Sequence, residues 1–108
     1  MNLQEAFNLI WERAKDKTKA TVPGQARCYY RSPNGNRCFI GALIPDDRYK
    51  ADFENIPLWE IKSRLKDILE PEEIKLGELQ SIHDSCDVDA WKHYLCEFAR
   101  MNELTIPV

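Results

Sequence analysis

Glycine is scarce in this chain: four glycines occur among 108 residues, and they are not grouped. Phosphate-binding loops and dinucleotide-binding motifs need clustered glycines, because the backbone must approach the phosphate closely, so these classes are excluded. No apolar run is long enough to cross a membrane. The first residues, MNLQEAFNLIWERAK, include early acidic side chains and no uniform apolar segment. We therefore expect no signal peptide and a cytoplasmic protein.

Closely spaced cysteine pairs are also missing. Structural zinc sites usually bring their ligands in C-x2-4-C pairs, whereas Cys28 and Cys38 are separated by a longer segment. Disulfides are rare in the cytoplasm. In the strand register given below, these two cysteines would be diagonal rather than directly opposed, which is poor geometry for a disulfide. We therefore expect free thiols.

Two H-x-x-C pairs offer a different metal hypothesis: His83 with Cys86, and His93 with Cys96. A spacing of three places both members of a pair on one side of a helix, so two helices could supply four ligands. However, His93 and Cys96 lie opposite the apolar stripe of their own helix and would point away from the other pair. We therefore expect no metal and no other cofactor.

Helical periodicity dominates the rest of the chain, which we interpret as a single domain spanning residues 1–108. Asn2 and Glu5 form a capping-box signature for a first helix that should end near Lys17. Further helices are predicted after Pro57, through Ile74, and in a last segment with the cleanest stripe: Trp91, Tyr94, Leu95, Phe98 and Ala99. The predicted fold class is α+β, with about four helices packed on a small antiparallel β-hairpin.

The hairpin prediction comes from the segment RCYYRSPNGNRCFI, which begins at Arg27. Its centre, Ser32-Pro33-Asn34-Gly35, is typical of a type I turn followed by a left-handed glycine. This register places Tyr30 opposite Cys38 and Cys28 opposite Ile40. Strand alternation then predicts a buried face of Cys28, Tyr30, Cys38 and Ile40, and an outer face of Arg27, Tyr29, Arg31, Arg37 and Phe39.

A cysteine-dependent enzyme is one functional alternative, with Cys28 or Cys38 as nucleophile and His83 as base. Adjacent helical residues diverge by about 100°, so we expect Asp84 to be badly placed to orient His83. Thiols in the middle of a buried strand also lack the environment that stabilises a thiolate. We therefore expect buried structural cysteines, no catalytic residues and no enzyme.

A nucleic-acid-binding module is a second alternative, because charge is unevenly distributed. Residues 1–44 carry seven Lys or Arg against three acidic residues, whereas residues 45–108 carry eight against fifteen. Arginines interleaved with aromatic residues on the outer hairpin face could contact phosphates and bases. Against this alternative, the protein is acidic overall and matches no nucleic-acid-binding motif.

The pattern C-x-Y-x4-G-x2-C-x2-G-x-L-I-P-D, followed by L-Q-x2-H-D, resembles a group of small, mostly uncharacterised proteins of tailed bacteriophages and prophages. In this chain it consists of Cys28, Tyr30, Gly35, Cys38, Gly41, Leu43, Ile44, Pro45 and Asp46, then Leu79, Gln80, His83 and Asp84. The resemblance covers about residues 26–100, and Phe39 departs from it. It implies an accessory protein acting in the cytoplasm of an infected host, but no particular activity.

The function predicted from the sequence is therefore protein–protein interaction in the infected bacterium, by an inhibitor of a host defence or regulatory system. The partner would be a host or phage protein. The residues predicted to bind it are Tyr29, Arg31, Arg37 and Arg27, on the outer hairpin face.

Overall fold

The computed structural model describes residues 1–21 and 28–107. That part of the chain folds into four α-helices joined by loops and short 3₁₀ turns. In chain order the elements are α1 (Leu3–Ala14), 3₁₀ turns at Gly41–Leu43 and Ala51–Asn55, α2 (Leu58–Arg64), α3 (Glu73–Ser85), a 3₁₀ turn at Val88–Ala90 and α4 (Trp91–Met101).

The start of α1 is the capping box that the sequence predicted. The Asn2 side chain accepts a hydrogen bond from the Glu5 amide, and the Glu5 carboxylate accepts one from the Asn2 amide, both at 2.9 Å. These bonds satisfy amides that the first turn of a helix leaves unpaired. The helix itself ends at Ala14, before the predicted end near Lys17.

The core lies between the helices. α1 packs against α4 through Phe7 and Phe98, whose stacked rings have centroids 6.2 Å apart. α3 packs against both α2 and α4. The apolar stripe predicted for α4 is confirmed at the four residues that are buried there, Trp91, Leu95, Phe98 and Ala99. Tyr94, predicted as part of the same stripe, is instead exposed.

The prediction of an α+β fold with a β-hairpin is wrong. The described residues contain no β-strand and no sheet. They contain two isolated antiparallel β-bridges, which pair Thr21 with Cys28 and Arg31 with Arg37. The tight turn at the centre of the segment is nevertheless confirmed, because Gly35 has a φ of 89° and the Ser32 amide donates to the Asn36 carbonyl at 2.8 Å. The fold is therefore helical, with an irregular loop where a hairpin was expected.

The hairpin does not form because its backbone amides and carbonyls make hydrogen bonds to side chains and to a following turn instead. The Cys38 amide donates to the Tyr30 carbonyl at 3.2 Å, as a hairpin requires. The Tyr30 amide, however, donates to the Glu54 carboxylate at 2.9 Å, and the Cys38 carbonyl accepts from Ala42 at 2.9 Å. Hydrogen bonds to a carboxylate are stronger than those to a neutral carbonyl. Only half of the Tyr30–Cys38 pairing therefore forms.

The prediction for the side chain of Phe39 is also wrong. Strand alternation predicted that it faces outward, but it is fully buried, as are Cys38 and Ile40. The chain turns into the 3₁₀ turn at Gly41–Leu43 at this point, so the two-residue alternation of a strand no longer applies. Three consecutive side chains consequently enter the core.

Among the described residues, no helix combines the length and the apolar character needed to cross a membrane.

Candidate functional site

Two of the arginines predicted to bind a partner are held in ion pairs within the chain. Arg31 and Arg37 both contact the Asp46 carboxylate, at 2.9 and 2.8 Å. Arg31 also donates to the Ile44 carbonyl at 2.8 Å, and its guanidinium lies 4.5 Å from the centre of the Tyr49 ring. These contacts tie the loop before Gly41 to the segment after it. The two arginines therefore have a structural role, and their contact with a partner stays a prediction.

The other two predicted binding residues are Tyr29 and Arg27. Tyr29 is half-buried and packs against the core. Arg27 lies outside the described residues.

The four metal candidates named from the sequence do not form a cluster. His83 is fully buried, whereas His93 is exposed. Among the described residues, one set of three ligating side chains does meet: Cys28, His83 and Asp84, whose ligand atoms all lie within 4.8 Å of one another. Neither Cys86 nor Cys96 belongs to it.

Hydrogen bonds assign the tautomer of His83. The Ala20 amide donates to Nε2 at 3.3 Å, so that nitrogen presents its lone pair to the backbone. The proton then lies on Nδ1, which donates to an Asp84 carboxylate oxygen at 2.8 Å. The expectation that Asp84 is badly placed to orient His83 is therefore wrong. The 100° divergence describes the Cβ directions, and the two side chains turn toward each other beyond them.

Asp84 accepts hydrogen bonds from three side chains, and we call Asp84, His83, Gln80 and Cys28 the Asp84 hub. Gln80 Nε2 donates at 3.0 Å, and the Cys28 thiol also donates to the carboxylate. Burial raises the pKa of Asp84, but the hydrogen bonds from His83 and Cys28 outweigh it, so the net pKa lies below its usual value. Burial, together with the Asp84 charge, raises the pKa of Cys28.

This order of groups holds the loop to α3 and does not activate a thiol. In a cysteine nucleophile the thiol gives its proton to an imidazole that a third group orients. Here the Asp84 carboxylate lies between Cys28 and His83, and the lone pair of the imidazole is used by a backbone amide. A metal on Nδ1 would require the proton to move to Nε2, where it would face the Ala20 N–H. The geometry thus favours neither a nucleophile nor a metal centre.

Cys38 is also an inert thiol. It is buried, and the Gly41 amide donates to its sulfur at 3.2 Å. Burial raises the pKa of Cys38 to about 12. A thiol that stays protonated at neutral pH is a weak nucleophile, so its contribution is to packing.

An apolar depression that the sequence did not reveal lies between the C-terminal half of α1 and the start of α4. Its volume is about 280 Å³, and it opens to solvent. We call it the groove. Its apolar lining is Trp11, Ala14, Val88, Trp91 and Leu95, and its charged lining is Lys15, Lys17, Asp89 and Lys92.

The floor of the groove is supported by the Asp84 hub. The Trp91 ring stacks on the His83 ring, with centroids 5.3 Å apart, and meets Phe39 edge-on at 4.9 Å. Because Ala20 and Asp84 fix the His83 ring, the orientation of Trp91 is fixed as well. The floor of the groove at Trp91 is therefore held in place.

Lysine side chains surround the groove, and we call Lys15, Lys17 and Lys92 the lysine rim. Lys15 pairs with Glu12 at 2.8 Å, and Lys17 pairs with Asp89 at 3.3 Å. Lys92 has no ion-pair partner among the residues that the structure describes. Exposed pairs of this kind contribute little stability, so the lysines can exchange partners.

A second depression, of about 330 Å³, is lined by Leu9 and by polar side chains around Arg13 and Arg37. Arg13 donates to the carbonyls of Arg37 and Thr18, at 2.7 and 2.5 Å, and Arg37 pairs with Asp46. Most donors of its cations are thus used inside the chain, although Arg13 Nη1 is buried without a hydrogen-bond partner among the described residues. The groove is the better candidate for a binding site, because it combines apolar surface with exchangeable charge.

Comparison of the chain with protein-family models, with curated proteins and with solved structures found no match in any of the three.

Proposed function

We propose that this chain is a non-enzymatic interaction protein that binds a second protein through the groove. The observation that carries the proposal is an open apolar groove in which the partly buried Trp11 forms a wall and the almost completely buried Trp91 forms the floor. Tryptophan is enriched among the residues that dominate binding energy at protein interfaces, and such residues cluster near the centre of the interface. Burying this surface against a partner is favourable because it removes apolar area from water.

The resemblance to tailed-phage proteins supplies the biological setting of the proposal. The partner is then a host or phage protein in the cytoplasm of an infected bacterium, and binding blocks a surface of a defence or regulatory system. The Asp84 hub supports a binding role over catalysis, because its hydrogen bonds position a groove residue and leave no activated nucleophile.

Two substitutions test the proposal in a pull-down from infected-host lysate. Trp11→Ala removes one wall of the groove, and Ala14→Arg fills the groove while leaving its apolar side chains in place. Trp59 offers a matched control, because it is 58% exposed on α2 and lies outside the groove. One stoichiometric partner, identified by mass spectrometry, should be retained by Trp59→Ala and lost with both groove variants.

Circular dichroism and thermal unfolding check that each variant is folded. The proposal fails if the folded Ala14→Arg variant retains the partner as well as the unchanged chain does. It also fails if the partner is lost with Trp59→Ala and kept by the groove variants.

A further inference from the structure

Resting on the proposed function, we infer that the groove accepts an acidic protein segment that inserts one aromatic or large aliphatic side chain. Two independent features define this partner: the size of the groove selects a single anchor, and the lysine rim selects the flanking charge.

The size argument starts from the volume. Pockets that enclose drug-sized ligands run from about 300 to 1,000 Å³, whereas the groove has about 280 Å³ and is open on one side. The groove is thus at the small end of this range, and one large side chain is the occupant that we infer. Trp91 and Leu95 are almost completely buried and form its floor, and the partly buried Trp11 forms a wall.

The charge argument starts from the lysine rim. Three lysines surround the opening against two carboxylates, Glu12 and Asp89, and Lys92 has no ion-pair partner among the described residues. An acidic segment gains attraction on this side of the molecule, whereas a basic segment is repelled.

The backbone of Lys17 has the left-handed conformation common at the end of a helix. Its φ is 51°, in the left-handed region that favours glycine and costs energy for other residues. A lysine at this position directs its ammonium group toward Asp89 at the edge of the groove, 3.3 Å away. The Lys17 amide donates to the Ala14 carbonyl at 3.1 Å, so this conformation ends α1. Lys17 thus combines a backbone cost with a place on the rim.

Glu103 provides a matched control within the same chain. It also has a left-handed backbone, with a φ of 56°, at the end of α4. There the Leu104 amide closes the helix by donating to the Ala99 carbonyl at 2.8 Å. Glycine at either position relieves the same backbone strain, but Glu103 is not part of the groove.

The experiment titrates ¹⁵N-labelled protein with four synthetic peptides and one single-stranded oligonucleotide. The first peptide has one phenylalanine flanked by glutamates. The others have serines as flanks, lysines as flanks, or alanine in place of phenylalanine. The acidic phenylalanine peptide should bind at least about tenfold more tightly than any other probe, with a loss of affinity on raising NaCl to about 0.5 M.

The variants add a readout that a purely structural role would not change. Lys17→Gly and Glu103→Gly should both raise the unfolding temperature. Lys17→Gly alone should lower the affinity for the acidic peptide, by about threefold or more, because it removes one rim cation. Equal affinity in the two variants would show that Lys17 does not contribute to recognition.

Several outcomes overturn the inference without touching the proposed function. Equal binding of the serine-flanked peptide would leave an apolar groove with no charge preference. Equal binding of the alanine peptide, or tighter binding of the oligonucleotide, would mean that the lysines recognise charge alone. Concentration-dependent self-association that the peptide displaces would identify a second copy of the chain as the occupant. Failure of all probes would also refute the acidic-anchor assignment, while the Ala14→Arg pull-down tests the groove separately.

Discussion

Gly41 lies where the backbone of Tyr30 crosses the 3₁₀ turn, and alanine at this position tests the loop that replaces the predicted hairpin. A Cβ atom at Gly41 would lie 1.9 Å from the Tyr30 carbonyl oxygen and 2.8 Å from its carbon. Real Cβ contacts essentially never fall below 3.0 Å. The two backbone segments would have to separate by about 1 Å, because neither contact is with a flexible side chain.

The cost follows from what this separation disturbs. Overpacking of a closely packed interior costs about 1–3 kcal/mol. The Tyr30 carbonyl also accepts the Cys38 amide, and the loss of such a bond adds about 1 kcal/mol. The same backbone shift strains the bond from the Tyr30 amide to Glu54. We therefore expect Gly41→Ala to lower the free energy of unfolding by about 3 kcal/mol.

Urea unfolding followed by circular dichroism measures this change, and Gly77→Ala is the matched control. Gly77 lies inside α3, and a Cβ there meets nothing within 4 Å. Because alanine is the better helix former, Gly77→Ala should raise the free energy of unfolding by about 1 kcal/mol. The two glycine-to-alanine substitutions should therefore change the free energy of unfolding in opposite directions. A Gly41→Ala variant as stable as the unchanged chain would refute the close approach of Tyr30 and Gly41.

Two further predictions concern the Asp84 hub and the buried thiol. Asp84→Asn should lower the free energy of unfolding by about 2 kcal/mol, because it weakens the hydrogen bonds from His83 and Cys28. The loss is moderate because Asp84 is partly exposed to solvent. The pKa of Asp84 is depressed below 3.8, so its ionised carboxylate stabilises the fold above that pH, and this stabilisation is lost as pH falls through the lowered pKa. The dependence of stability on acid pH should therefore be weaker in Asp84→Asn than in the unchanged chain. The same acid unfolding curve for both proteins would contradict the hub. Iodoacetamide at pH 8 should label Cys38 last of the four cysteines, since its pKa is about 12 and it is buried; mass spectrometry of the folded protein checks this, and rapid labelling of Cys38 would place it outside the core.

The features predicted correctly from the sequence are local. The capping box at Asn2 and Glu5 and the left-handed Gly35 depend on residues within a few positions of each other. The hairpin prediction failed because the side chains that compete for its backbone hydrogen bonds come from distant parts of the chain. Glu54 takes the Tyr30 amide, and Gln80 takes the Ile40 amide at 3.1 Å. No periodicity in the segment around residues 28–40 indicates that these side chains arrive there.

The candidate site was missed for a related reason. Trp11 and Trp91 both lie on apolar helical stripes, and a stripe predicts burial without distinguishing a closed core from an open groove. Arg31 and Arg37 were predicted to bind a partner as exposed cations, but Asp46 pairs with both of them in the folded chain. The left-handed backbone of Lys17 likewise cannot be read from its residue type, since glycine is the expected residue there.

The indole N–H signals of the three tryptophans test the central claim most directly. Two of the tryptophans, Trp11 and Trp91, line the groove, and Trp59 lies on α2 outside it. In a ¹H–¹⁵N spectrum, adding the partner protein recovered by the pull-down should shift or broaden the signals of Trp11 and Trp91 and leave Trp59 unchanged. A partner that perturbs Trp59 while both groove signals stay in place would contradict the account.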